Sequence, residues 1–157
     1  MWNIFLGGFM INLSERVSRV FVNYGWSPER SVDITTFIDK LSEEGFQIFD
    51  VAEKFLRNLH GLKIEPRLGL HTAIDFHAGE GLGTLHSIQP WAVANDLQVY
   101  AIGMWVSRPI YVDSQGRLYI TDFSVYERVS ETIEEGLDNL LFFRGAQSFV
   151  LIPPILM

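Results

Sequence analysis

The chain contains no cysteine. That absence removes disulfides, thiolate metal sites and thiol nucleophiles together, and it is compatible with a reducing compartment. Lysine is also scarce: Lys40, Lys54 and Lys63 are scattered, and no basic stripe exists for a phosphate backbone. A nucleic-acid partner is therefore not expected. No apolar run approaches the ~20 residues of a membrane span. Residues 1–11 are apolar, but they carry no positive n-region and are broken by Gly7-Gly8, so no signal peptide is expected. Repeats, low-complexity segments and an internal domain boundary are missing too.

What is present is acidic and hydrophobic. The 19 acidic residues outnumber the 12 basic ones, giving a formal charge of −7 that suits a basic protein partner. A chain of 157 residues fits one domain and buries about two-thirds of its unfolded surface, so it needs no staples.

One stretch, Gly25-Trp26-Ser27-Pro28-Glu29-Arg30-Ser31-Val32-Asp33, separates two helical patterns. Gly25 can take the left-handed conformation that ends a helix, and Pro28 fixes the backbone where a new direction begins. Trp26 needs a pocket or a partner. Arg30 and Asp33 are spaced to pair or to tie the turn to neighbouring backbone. The stretch reads as architecture, with the function to be sought elsewhere.

Before it, Asn12-Leu13-Ser14-Glu15 has the form of a capping box with Asn12 as N-cap, and Leu13, Val17, Val20, Phe21 and Tyr24 recur at helical spacing. After it, Thr35 or Thr36 caps a short helix closed by Gly45. A longer helix then carries Ile48, Val51, Ala52, Phe55, Leu56 and Leu59 on one stripe, with Gly61 beyond its end. The period then changes to strands at 62–65 and 68–77. Residues 78–83 form a glycine loop, and Pro90 opens a short helix through Ala94. Strands at 98–106 and 110–112, a hairpin turn at 113–116 and a return strand at 117–121 suggest an antiparallel meander. A final helix is expected over 127–144, followed by an apolar tail, 148–157, extended against the body.

These elements occur in a familiar order: Gly25-Trp26-x-Pro28-x-Arg30-x-Val32-Asp33, then Phe55-Leu56 and Gly61-Leu62-Lys63-Ile64, then Ile102-Gly103 and Tyr111-Val112-Asp113 leading to Gly116-Arg117-Leu118-Tyr119. Over residues 13–145 the chain resembles the SUKH superfamily, in the subgroup of bacterial immunity proteins with a Gly-Trp-x-Pro-x-Arg signature. The terminal extensions and residues 78–96 carry no family motif. The resemblance implies a single α+β domain with N-terminal helices, a central mostly antiparallel sheet and a C-terminal helix packed on it. It also implies no catalytic activity and no cofactor. Its partner would be the cognate toxin of a bacterial polymorphic system, often a nuclease, met in the cytoplasm by a monomer or weak homodimer. Contact-dependent inhibition is one such setting. Other branches of the superfamily are regulatory adaptors that dock a housekeeping protein. Gly25, Trp26, Pro28, Arg30, Asp33 and Gly116 are assigned to architecture.

For partner contact, Glu127, Glu131, Glu134, Glu135 and Asp138 fall at i, i+4, i+7, i+8 and i+11, one face of the expected last helix. Like charges at that spacing repel by a few tenths of a kcal/mol per pair, roughly, and a basic partner would relieve them. A solvated helix face is the plainer reading. Glu80, in the glycine loop, and Trp105 complete the set expected to touch a toxin. The segment Gly79-Glu80-Gly81-Leu82-Gly83-Thr84 follows a strand but lacks a lysine and fits no phosphate-loop pattern. His71, Asp75 and His77 share strand parity, and His86 lies nearby, yet no third ligand is fixed and no metal site is expected. No nucleophile elbow or His-Glu-x-x-His helix appears. Trp91, Trp105 and Tyr111 can anchor an interface, although aromatics in a mixed sheet more often belong to the core.

Overall fold

The computed structural model of the chain describes residues 11–66, 72–122 and 125–142, and the backbone of 150–152. Three helices come first: α1 (Glu15–Val22), α2 (Thr35–Glu44) and α3 (Asp50–Leu59). Two short strands follow, β1 (Lys63–Ile64) and β2 (Ile74–Asp75), then a 3-10 turn (Ala78–Gly81) and α4 (Leu85–Ala94). The second half is β3 (Val99–Trp105), β4 (Arg108–Asp113), β5 (Leu118–Asp122), β6 (Val125–Ser130), α5 (Ile133–Leu141) and β7 (Val150–Ile152). The strands make one sheet in the order β1-β2-β3-β4-β5-β6-β7, each antiparallel to the next. This is the α+β architecture expected of the sequence.

Helices cover both faces of the sheet. Successive strand residues point to opposite faces. On β5, the space beside Gly136 of α5 is filled by the Leu118 side chain, whereas the Tyr119 ring meets Trp91 of α4 edge-on at 5.3 Å. β3, β4 and β5 are buried along most of their length for that reason. α3 turns Ala52, Phe55, Leu56 and Leu59 into the core at the spacing the sequence shows, and Phe55 and Phe21 both meet the Phe76 ring edge-on.

Several boundaries differ from the sequence reading. The N-cap of α1 is Ser14, whose hydroxyl accepts from Val17 N at 3.3 Å, rather than Asn12. Ile34 stands at the N-cap of α2, and Asp33 takes over the capping work by accepting from Thr35 N and Oγ1 at 2.9 and 2.7 Å. Pro90 is the sixth residue of α4, not its opener. The helix starts five residues earlier, and the ring removes one intrahelical hydrogen bond. Of the longer strand expected over 68–77, the regular strand among the described residues is Ile74–Asp75, flanked by backbone hydrogen bonds at Ala73, Phe76 and His77, and residues 67–71 lie outside the described ones.

The largest correction concerns the last helix. Residues 125–130 pair with β5 as strand β6, and α5 begins only at Ile133. The apolar spacing Val129-Ile133-Leu137 runs across the junction and imitates one continuous helix. The true start is marked by Thr132, whose hydroxyl accepts from Glu135 N at 3.1 Å. The expected helix residues 143 and 144, and most of the apolar tail, lie outside the described residues. Residues 150–152 pair with β6.

Candidate interaction surface

The signature turn is held by a residue that sequence reasoning passed over. Gly25 ends α1 in the left-handed region (φ +98°), which lets Trp26 N return to Phe21 O at 3.1 Å and turns the indole inward. Trp26 is 6% exposed, and its Nε1 donates to Asn58 Oδ1 at 2.8 Å. Asn58, fully buried on α3, donates in turn to Arg30 O at 3.0 Å and Pro28 O at 3.3 Å. Arg30 completes the tie by donating to Asn58 O and His60 O, both at 2.7 Å. Arg30 and Asp33 thus serve the backbone separately. Burial lowers the Arg30 pKa from its ordinary value.

The second motif is equally internal. Asp113 is 1% exposed at the mouth of the β4–β5 hairpin. Its Oδ1 accepts from Gln115 N and Arg117 N, and its Oδ2 accepts from Arg117 Nε at 2.6 Å and Tyr119 Oη at 2.8 Å. Gly116 closes the turn through its N–H to Asp113 O at 3.0 Å. Burial, helped by the Asp113 carboxylate, raises the Tyr119 pKa far above that of a free phenol.

The five expected contact acids do not share one helix face. Glu127 sits on β6, and its carboxylate accepts from Arg108 Nη2 at 2.6 Å. Glu131 lies in the β6–α5 connection against Arg128 Nε at 3.1 Å. Asp138 joins α5 to α1: it accepts from Ser14 Oγ at 2.7 Å and Arg16 Nε at 2.8 Å. The Arg16 hydrogen bond holds the Asp138 carboxyl below its ordinary range, with Ser14 adding to the effect and burial opposing it. Arg16 also covers the Phe142 ring at 4.2 Å. Of the five, Glu134 and Glu135, exposed in the first turn of α5, form no ion pair among the described residues and complement the helix dipole. Glu134 borders a 370 Å³ cavity together with Lys54, Ile11 and Gly116.

Trp105 is a core residue. It is 6% exposed, and its indole N–H donates to Leu140 O at 3.0 Å, while Thr72 Oγ1 donates to Leu141 O. These two donors satisfy carbonyls in the last turn of α5 that have no intrahelical partner. Trp91 and Tyr111 are also buried; Trp91 stacks on Tyr126 at 4.5 Å, and Tyr111 Oη donates to Thr84 Oγ1 at 3.0 Å.

Glu80 has a different setting. It lines a groove of about 410 Å³ at the β1 edge of the sheet, with Glu65, Asp75 and Lys63. The apolar part of the lining is Ile64, Pro66, Ala73, Ile74, Met104 and Val106. Gly103, at the bulge in β3, makes this corner possible: a β-carbon there would stand 3.0 Å from Phe76 Cα and press on Asp75 O. None of the three carboxylates takes part in a salt bridge among the described residues.

Beside the groove, the His60 and His77 rings meet at a tilt with centroids 4.6 Å apart, and Phe37 lies against both. His60 Nδ1 accepts from Ala78 N at 3.1 Å and His77 Nδ1 from Gly79 N at 3.0 Å, so each imidazole fixes one amide of the 3-10 turn. Burial lowers the His60 pKa, and His77 and Arg30 lower it further against a weaker opposing pull from Asp75. His71 lies outside the described residues. Among the described residues no three His, Cys, Asp or Glu side chains converge as metal ligands. No described helix is long and apolar enough to cross a membrane.

No curated protein and no solved structure matches the chain. Residues 13–142 match the family described as SUKH-3 immunity protein, from the residue before Ser14 through the end of α5. That span contains the Trp26–Asn58–Arg30 tie, the Asp113 hairpin and the groove at the sheet edge, and the chain belongs to the SUKH-3 immunity protein family.

Proposed function

We propose that this protein neutralises a cognate bacterial toxin by binding it and occluding its active site or substrate groove, without chemistry of its own. The observation that carries the reading is the family match over 13–142. The chain's charge of −7 supports a toxin with a basic surface, such as a nuclease that grips phosphates. Glu134 and Glu135 are the acids of α5 free to steer such a partner, and Glu131 adds a carboxylate that is 59% exposed beside Arg128. The motif residues Gly25, Trp26, Pro28, Arg30, Asp33 and Gly116 act indirectly, by holding the frame on which those charges stand.

The test is co-expression with the toxin domain encoded by the neighbouring open reading frame, scoring growth rescue and co-purification. Rescue with a stable complex is the expected result. Growth arrest despite equal expression of both proteins, with no complex, would overturn the proposal. In the complex, changing Glu131, Glu134 and Glu135 together to lysine slows association and flattens its salt dependence. An unchanged association rate and salt slope removes these acids from the mechanism.

A further inference from the structure

We infer that the groove at the β1 edge is the seat for one arginine side chain of a basic protein partner. The inference deepens the toxin-binding reading and rests on it for the partner's identity, though not for the chemistry of the seat. The chemistry follows from the lining. Ile64 and Ile74, each at most 1% exposed, turn their side chains to the core face of β1 and β2, so the apolar surfaces along which a methylene stem can lie are Met104, Pro66 and Val106. Around them stand Glu65, Asp75 and Glu80, from β1's end, β2 and the 3-10 turn. Three carboxylates face one ammonium, that of Lys63.

The groove's acids differ from those near α5. Arg108, Arg128 and Arg16 neutralise Glu127, Glu131 and Asp138 internally, whereas Glu65, Asp75 and Glu80 take part in no salt bridge among the described residues, Lys63 of the same lining included. An apolar stem ending in a delocalised cation matches both halves of the groove. A guanidinium can engage more than one carboxylate at once, which a point ammonium does less well. Val106 adds a contact at the rim. It is 61% exposed, an apolar side chain presented on the two-residue turn between β3 and β4.

The experiment is an amide NMR titration of the full chain with the peptide acetyl-Gly-Arg-Gly-amide, against the same peptide carrying citrulline, which keeps the shape and loses the charge. Expected are saturable shifts clustered at Asp75, Glu80, Met104 and Val106. Binding should weaken at least about tenfold with citrulline, or in the Asp75→Asn, Glu80→Gln double variant, the scale expected for losing charge-assisted hydrogen bonds. Scattered shifts, or equal binding of the two peptides, would overturn the inference. So would clustered shifts that emerge only after Arg67→Gln, since the chain's own arginine would then be the occupant. A matching amide spectrum for the free double variant verifies its fold. The neighbouring toxin domain separates the two readings. If it binds the double variant as tightly as the native chain, the groove assignment fails and toxin binding stands. If it binds neither, toxin binding fails and the peptide result alone decides the groove.

Discussion

The indole of Trp26 and the side-chain amide of Asn58, 32 positions apart, meet through a 2.8 Å hydrogen bond inside the core. Asn58 spends its acceptor on the indole and its donors on Pro28 O and Arg30 O, so one buried side chain satisfies three groups of the signature turn. Asn58→Ala removes all three at once. Leaving buried polar groups unsatisfied costs about 1–3 kcal/mol each, discounted here because the carbonyls are partly accessible, so a loss of about 2–4 kcal/mol is expected by urea denaturation. Trp26→Phe gives up one hydrogen bond and part of a ring, and should cost less than Asn58→Ala. The reverse order would show that Asn58 is not the centre of the turn.

Gly103 tests the corner that shapes the groove. Any β-carbon meets the backbone of Asp75 and Phe76, which cannot swing aside as a flexible side chain would. Gly103→Ala should lower stability by about 2–4 kcal/mol, the scale of overpacking against rigid surroundings. A melting temperature within a degree of the native protein would show that β2 yields freely.

The histidine pair predicts a pH dependence. The folded-state pKa of His60 is depressed, so the unfolded chain takes up its proton first, near 6.5. The associated stability is therefore complete above about 6.5 and is lost as pH falls through the lower folded value. The urea midpoint should drop between about pH 7 and pH 5, and His60→Gln should flatten that part of the curve. Arg30 and His77 oppose the charged form and Asp75 favours it, so Asp75→Asn should move the His60 resonance titration to lower pH. A His60 titration at the free-histidine position would contradict this.

Asp138 governs a more acidic window. Its folded pKa is depressed by the Arg16 and Ser14 hydrogen bonds, so its contribution is present above about 3.9 and disappears as pH falls through the folded value. Arg16 is half exposed, so solvent screening keeps the contribution to about 1 kcal/mol or less. Arg16→Gln and Asp138→Asn should each remove most of it, and the double variant should cost little more than either alone. Simple addition of the two losses would mean the residues act independently.

Val106 occupies a left-handed position, φ +58°, that a β-branched residue adopts at a cost of about 1–2 kcal/mol. Val106→Gly should therefore raise the melting temperature slightly, since relief of strain outweighs the entropy glycine adds to the unfolded chain. If the groove seats the partner's arginine, the same change weakens arginine-peptide binding by removing the rim contact. Stabilisation without weaker binding would confine Val106 to the turn.

The sequence disclosed the elements whose signals are local. Helical spacing marked α1 and α3, and Asp113 to Gly116 marked the hairpin, because one turn or one short loop contains the whole pattern. Asn58 was illegible because its partners are about 30 residues away and an asparagine on a helix looks like surface. β6 was misread because Val129 and Ile133 stand four apart across a strand–helix junction, and the cap at Thr132 was overlooked. The acidic site was legible only as composition. Which carboxylates are neutralised depends on Arg16 and Arg108, brought to Asp138 and Glu127 by tertiary packing. Of the acids expected to touch a partner, Glu80 alone lines the groove.

Strand β1 offers two residues at its border of the sheet, and Pro66 follows close behind. Tyr24 Oη already accepts from Glu65 N at 3.4 Å and donates to Glu65 O at 3.1 Å, occupying both main-chain groups where the strand would continue. A second polypeptide finds no run of vacant amides to zip onto, so stacking of copies into fibrils through this border is disfavoured. Any molecule gripping the protein here must do so with its side chains, which makes recognition depend on residue identity rather than on generic backbone pairing.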